Sequence, residues 1–201
     1  MIRVLLVDDE ELIREALRSL LEREADIEVV ACAADGRSAV EAARGQRPDV
    51  VVADLTMPGL DGLGVVRELS RVLPDCAVVI LTGYGNPLAI RRALSSGARG
   101  FLAKGAPGTA LADVVRRVQE GNRYVDPLLA ADALTAPPSP LTARESEVLL
   151  AAGADGVVKD AARALHLATG TVRNHLTTAA AKLGARGRVE AYRLARDHGW
   201  I

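Results

Sequence analysis

The feature that most constrains this chain is a pattern repeated five times in its first 120 residues: a short apolar run, then a longer amphipathic one. The short runs are Val4–Val7, Val29–Ala33, Val50–Ala53, Val78–Leu81 and Phe101–Ala103, mostly β-branched and bounded by polar residues or glycine. Runs of this length without alternation read as strands buried on both faces. Leu12–Arg23, Arg37–Arg44, Leu63–Leu73, Leu88–Leu94 and Thr109–Glu120 have helical spacing instead, with Ile13, Leu17, Leu20 and Leu21 marking one face of the first. Such alternation predicts a parallel sheet with helices on both sides, in the strand order 2-1-3-4-5.

From Gly121 the pattern stops. Thr135-Ala136-Pro137-Pro138-Ser139-Pro140 places three prolines in six residues, which disfavours helix and sheet interiors. Beyond it lie four helical stretches, 142–152, 158–165, 170–183 and 187–198, punctuated by Gly153, Gly156, Gly184 and Gly187. The division predicted is an α/β module at 1–121, a linker at 122–140 and an all-α four-helix module at 141–201. Charge divides the same way. The net charge of −1 is made of 15 Lys and Arg against 18 Asp and Glu in residues 1–120, 1 against 2 in 121–140, and 9 against 6 in 141–201. An acidic front and a basic rear suit a second module that meets a polyanion.

Composition excludes several classes. Aromatic residues at 2% are too few for a stacking platform on single-stranded nucleic acid. No apolar run approaches the roughly 18 residues of a membrane span, so no membrane insertion is expected. The N-terminus reaches Asp8-Asp9-Glu10-Glu11 too soon for a secretory signal. Cys32 and Cys76 have no partner at metal-ligand spacing, and read as two free, buried thiols in a reducing, cytoplasmic setting. His166, His175 and His198, spaced by 9 and 23, fit no zinc pattern.

Ligands of open parallel sheets bind at the carboxyl ends of the strands. Here the first strand ends in Asp8-Asp9, the third in Asp54, the fourth in Thr82 and the fifth in Lys104. Three carboxylates in one crevice repel one another unless a cation lies among them, and an all-oxygen donor set selects a hard ion such as Mg²⁺. An ammonium and a hydroxyl beside a carboxylate then suit a phosphoryl group in transit, with the aspartate as nucleophile. Helix capping by Asp8-Asp9-Glu10, or a turn role for Asp54 before Met57-Pro58-Gly59, could explain each residue singly. Neither explains the set.

These residues carry a resemblance. Val4-Leu5-Leu6-Val7-Asp8-Asp9-Glu10, Pro48 through Gly62 around Asp54, Leu81-Thr82 and Gly100-Phe101-Leu102-Ala103-Lys104 resemble the receiver domain of two-component response regulators, a flavodoxin-like (βα)5 fold. The resemblance implies that Asp54 accepts a phosphoryl group from a sensor histidine kinase. It implies Mg²⁺ held by Asp9, Asp54 and the carbonyl of Thr56, with Asp8 assisting, usually through water. Thr82 would be the switch hydroxyl, Phe101 the switch aromatic and Lys104 the phosphoryl contact. Gly105 follows Lys104 where many receivers have proline, so a cis bond is less expected there.

In the basic module, Thr142 followed by Glu145 predicts a capping box. Thr169-Gly170-Thr171-Val172-Arg173-Asn174-His175 enters a helix whose inward stripe is Val172, Leu176, Ala179, Ala180 and Leu183, leaving Arg173, Asn174 and Thr177 outward. Arg and Asn are the side chains that read guanine and adenine in the major groove. The Leu-Thr-Ala-Arg-Glu start, Thr-Val-Arg-Asn-His and Lys182-Leu183-Gly184 resemble the LuxR-type helix-turn-helix domain. A receiver joined to it is similar to the NarL/FixJ regulators, and its Gly-Thr-Val-Arg-Asn turn to DesR-like members. The resemblance implies a helix-turn-helix over about 158–177 and a recognition helix at 170–183. It also implies double-stranded promoter DNA met by Lys159, Thr169, Thr171, Arg173, Asn174, His175, Thr177 and Lys182, and a homodimer on activation. Two departures stand out: Asp160-Ala161-Ala162 replaces a bulkier scaffold triplet, and Ala168 replaces a capping serine, a job expected to pass to Thr169.

The regulator expected is not an enzyme, beyond at most slow autodephosphorylation. A haloacid-dehalogenase-type phosphatase would need a second Asp where Thr56 stands. A LuxR-type factor governed by a ligand or a protein, its receiver working without phosphorylation, is the alternative, and it leaves the strand-end carboxylates unexplained.

Overall fold

The computed structural model describes residues 1–83, 87–135, 139–153 and 156–201, with the backbone alone at 87–89 and 132–135. The chain forms two compact units that meet between Ala131 and Asp132.

The first unit is a parallel sheet of β1 (Ile2–Val7), β2 (Ile27–Ala33), β3 (Val50–Asp54), β4 (Ala77–Thr82), β5 (Gly100–Ala103) and β6 (Tyr124–Val125), in the order β2-β1-β3-β4-β5-β6. Each of the first five is followed by a helix: α1 (Glu11–Leu21), α2 (Gly36–Gln46), α3 (Gly62–Val72), α4 (Pro87–Ser95) and α5 (Gly108–Gln119). The predicted doubly wound architecture is the one observed. One face of the sheet packs Val4, Leu6, Val50, Val52, Val79, Leu81 and Leu102 against Leu111, Val114, Val115 and Val118 of α5. Leu5, Val51, Ile80 and Phe101 alternate with these residues along the strands and are equally buried.

Three expectations change. The sheet has a sixth strand, which lies within the segment read from sequence as a linker. Tyr124 pairs with Gly100 and Val125 with Phe101, fixed by hydrogen bonds from Tyr124 N–H to the Arg99 carbonyl and from Asp126 N–H to the Phe101 carbonyl, 2.9 Å each. Helix α6 (Pro127–Thr135) follows, started by proline in its first position and by Asp126, whose Oδ1 accepts the Leu128 N–H at 2.9 Å. A two-residue strand is too short to leave any periodicity in sequence. Ala136, Pro137 and Pro138 of the proline-rich stretch lie outside the described residues.

Second, β2 is not buried on both faces, because it is an edge strand. Its inner residues Glu28 to Cys32 keep solvent contact, and Cys32 is exposed rather than buried. Cys76 is half-buried, and burial pushes its thiol up to about 12. Third, Thr169 does not cap the helix it precedes in the prediction. It is that helix's first residue, behind Ala168, which offers no side-chain cap.

The second unit holds α7 (Ala143–Ala152), α8 (Val158–Ala164), α9 (Thr169–Lys182) and α10 (Arg188–Asp197), one for each predicted stretch. The capping box forms: the Glu145 N–H donates to Thr142 Oγ1 and the Thr142 N–H to Glu145 Oε2. Leu141, Val148, Leu149, Val172 and Leu176 form the core with seven alanines, Ala161 and Ala162 of the departing triplet among them.

Close backbone approach explains one glycine beside the strand ends. Gly62 opens α3 behind Asp61, whose Oδ1 accepts the Gly64 N–H at 2.7 Å. A Cβ at Gly62 would lie 2.3 Å from the Asp54 carbonyl oxygen. Gly62→Ala is therefore expected to cost about 1–3 kcal/mol through forced backbone shifts, read from the urea midpoint of the full chain.

Candidate functional site

Parallel pairing places the ends of β1, β3, β4 and β5 side by side. Asp54 is in register with Leu81, and Thr82 with Ala103, so each polar residue follows its strand onto the same edge. The main chain locks this edge: the Leu55 N–H donates to the Leu81 carbonyl and the Lys104 N–H to the Thr82 carbonyl, both at 2.8 Å.

The side chains converge as the sequence predicts. Asp8, Asp9 and Asp54 bring carboxylate oxygens within 4.8 Å of one another. Asp8 and Asp54 are buried, at 1% and 5% exposure, while Asp9 is open to solvent. Lys104 Nζ lies 2.9 Å from Asp8 Oδ2 and 3.2 Å from Asp54 Oδ2. Glu10 joins from the rim at 3.7 Å, a carboxylate that the strand-end rule did not single out because it stands three residues beyond the strand. Thr82 is buried beside them. Thr56 is exposed and gives Asp54 a backbone hydrogen bond. Phe101 is fully buried, so the ring is already inside. At the start of α1 Glu10 is the N-cap without a side-chain cap bond, and Asp8 Oδ1 accepts its N–H at 2.9 Å, so acidic residues do open the helix while Asp8 and Glu10 also face Lys104.

Electrostatics at the edge are unbalanced. Burial pushes the Asp54 carboxyl above the ordinary aspartate value, against the pull of Lys104. Burial also opposes the Lys104 charge, but Asp8 and Asp54 together outweigh it and hold the ammonium above its usual range. Asp8 Oδ2 is buried, with the Lys104 ammonium at 2.9 Å as its ion partner. Three converging carboxylates share that single ammonium, and an all-oxygen cluster short of positive charge is what a hard cation would satisfy, so the residues fit one.

The second unit shows the predicted outward face. Arg173, Asn174, Thr171 and Thr177 are exposed on α9, His175 and Thr169 are partly so, and Val172, Leu176, Ala179 and Ala180 are buried beneath them. Lys159 is exposed on α8. The turn between α8 and α9 is made by His166, at φ 52° in the left-handed region. Lys182 differs from the others: its ammonium lies 2.7 Å from Glu145 Oε2. Sequence signalled the Glu145 cap but not this pairing.

A doubly wound sheet with an acidic edge and a basic ammonium, continued into a helix-turn-helix unit, defines a signal-receiving regulator that reads nucleic acid. Comparison with known proteins specifies it. Residues 4–116 match the response regulator receiver domain, and residues 139–195 match the luxR family of bacterial regulatory proteins. The transcriptional regulatory protein DesR of Bacillus subtilis is 36% identical over the full length of both chains. LiaR of the same organism is 32% identical over 95% of each. The crystal structure of the response regulator ChrA, from a heme-sensing two-component system, is 38% identical and covers 100% of this chain and 98% of its own, with a TM-score of 0.59. The chain belongs to the NarL/FixJ family of response regulators, transcriptional regulators that join a receiver to a LuxR-type DNA-binding domain.

The family is one of transcriptional regulators rather than classical enzymes, and no described helix is long and apolar enough to cross a membrane. The raised Asp54 carboxyl yields a stability prediction. A carboxyl raised by folding stabilises the fold when protonated, and that contribution is lost as pH rises through the unfolded and then the folded value. At neutral pH the ionised form is therefore a cost. Asp54→Asn is expected to melt a few degrees higher than the natural chain in metal-free buffer. Magnesium should raise the melting temperature of the natural chain and move the variant much less.

Proposed function

We propose that the receiver, residues 1–121, takes a phosphoryl group from a sensor histidine kinase onto Asp54. The observation that carries this is the placement of Asp54 beside Lys104 and within the carboxylate cluster it forms with Asp8 and Asp9. The Asp54 carboxylate oxygen attacks phosphorus, the phosphorus–nitrogen bond of the donor histidine breaks, and its electron pair stays on the imidazole. An acyl phosphate results. Lys104 pairs with the phosphoryl oxygens, giving up part of its contact with Asp8, and Thr82 offers its hydroxyl to one of them. Asp8, Asp9, Asp54 and the carbonyl of Thr56 would hold Mg²⁺, which when bound neutralises the charge that three carboxylates and a phosphoryl group share. The chain's own chemistry beyond acceptance is at most slow autodephosphorylation.

Phosphorylation then shifts a two-state equilibrium in which Thr82 moves toward the phosphoryl group and Phe101 keeps the space behind it filled. The favoured state is a homodimer that binds promoter DNA in the cytoplasm through residues 141–201. Lys159, Thr169, Thr171, Arg173, Asn174, His175 and Thr177 face the duplex. One recognition helix reads only a few base pairs. A dimer makes the second contact intramolecular, so a two-fold symmetric site is the preferred one.

Acetyl phosphate with Mg²⁺ should add one phosphoryl mass to the natural chain and none to Asp54→Ala, and the labelled chain should sediment as a dimer. Stoichiometric labelling of an aspartate in Asp54→Ala would overturn the assignment. On DNA, Arg173→Ala should cost about 1–3 kcal/mol on a selected duplex and relax sequence preference, as loss of a guanine contact does. Equal losses on selected and scrambled duplexes would make Arg173 a phosphate contact instead.

A further inference from the structure

We infer that Arg144 and Glu145, adjacent in the first turn of α7, are positioning residues for DNA recognition, and that Lys182 serves it through Glu145 rather than by touching phosphate. The inference rests on reading α9 as the recognition helix.

The two side chains hold the ends of the two helices of the helix-turn-helix pair. Arg144 Nη2 donates to the Leu165 carbonyl at 3.2 Å, where α8 terminates. Glu145 Oε2 accepts from Lys182 Nζ at 2.7 Å, in the last residue of α9. The same oxygen accepts the Thr142 N–H at 2.7 Å, so the carboxylate is fixed by its own helix before it meets its partner. Glu145 is 5% exposed, an unusual place for a carboxylate at the surface of so small a unit. Removing Lys182 strands the Glu145 carboxylate where water cannot fully replace it, whereas Lys182 is itself exposed and loses only its anchor when Glu145 goes.

The packing gives this clamp its importance. Seven of the twelve buried core residues described for the unit are alanine. Along α9 the buried side chains shrink from Val172 and Leu176 to Ala179 and Ala180 toward its C-terminal end, where small contacts resist rotation of the helix less. The directional bonds at its far end then set its angle. Base reading by Arg173 and Asn174 tolerates little angular error, because bidentate pairs need aligned donors and acceptors.

The clamp follows from which atoms meet. It also changes what Lys182 is expected to do. A lysine on a phosphate releases one counterion, so its loss flattens the slope of log affinity against log salt by about one unit. A lysine held by a buried carboxylate leaves that slope alone.

The test is a titration of the phosphorylated full chain on a duplex selected by it from a random pool, and on a scrambled duplex, at several salt concentrations. Lys182→Met, Glu145→Gln and Arg144→Met should each bind the selected duplex roughly tenfold more weakly, on the scale of coupling between contacting residues. The scrambled duplex should change less, the salt slope should stay that of the natural chain, and the double variant at 145 and 182 should be no worse than either single one. The sign at Glu145 is decisive. Its neutralisation makes the unit more positive, which by charge alone strengthens DNA binding. Glu145→Gln binding as tightly as the natural chain or tighter, or a slope flattened by about one unit in Lys182→Met, would overturn the inference. Should Glu145→Gln fail to fold, the slope of Lys182→Met decides alone. A natural chain that bound neither duplex would overturn the reading of α9 itself, and the inference with it.

Discussion

The receiver unit is organised around one ammonium. Lys104 stands 2.9 Å from Asp8, 3.2 Å from Asp54 and 3.7 Å from Glu10, and it is a single positive charge among carboxylates that two strands have delivered to one edge. It cannot satisfy them all. Asp8 has to share it, and the Asp54 carboxyl is held above its ordinary value. The fold tolerates this shortfall because the strands beneath are almost entirely Val, Leu, Ile and Ala, buried on both faces from β1 through β5 except at the β2 edge. Apolar burial supplies the stability, and the polar edge is left short of positive charge.

The second unit solves the opposite problem. Among its described residues alanine supplies most of the buried positions, larger side chains such as Leu165, Leu167 and Trp200 are only partly buried, and charge takes structural roles as well. Glu145 joins the capping box to Lys182, and Arg144 closes the end of α8. In the receiver, charges are left under-satisfied at the strand ends. In the helical unit, they are paired where shape has to be kept.

Much of this was legible before any coordinates. Five apolar runs and five amphipathic ones specify a parallel sheet because no other arrangement hides both faces of each strand, and Asp8, Asp9, Asp54, Thr82 and Lys104 follow from where those runs end. The outward set on α9 came from helical spacing, and the structure keeps it. What sequence concealed has three physical causes. Tyr124 and Val125 join the sheet through main-chain hydrogen bonds, which two residues cannot advertise in side-chain pattern. Cys32 lies on the strand that the predicted order 2-1-3-4-5 already puts at the edge, but its apolar run Val29–Ala33 looks like that of a central strand and hides the exposure. Lys182 meets Glu145 across 37 residues, and its charge alone gave no reason to prefer a carboxylate over a phosphate.

The sixth strand also defines what can be cut away from this protein. The receiver family match ends at residue 116, yet the compact unit runs to Ala131. A fragment stopped at 121 would strip Tyr124 from the core, where its ring lies under the Arg117 guanidinium at 5.7 Å. It would also leave the donors and acceptors of β5 facing solvent along an open sheet margin. Bare margins of that kind invite pairing between molecules. For anyone preparing the receiver alone, the short pair at 124–125 is the hem that keeps the fabric from fraying, and a soluble fragment needs it retained.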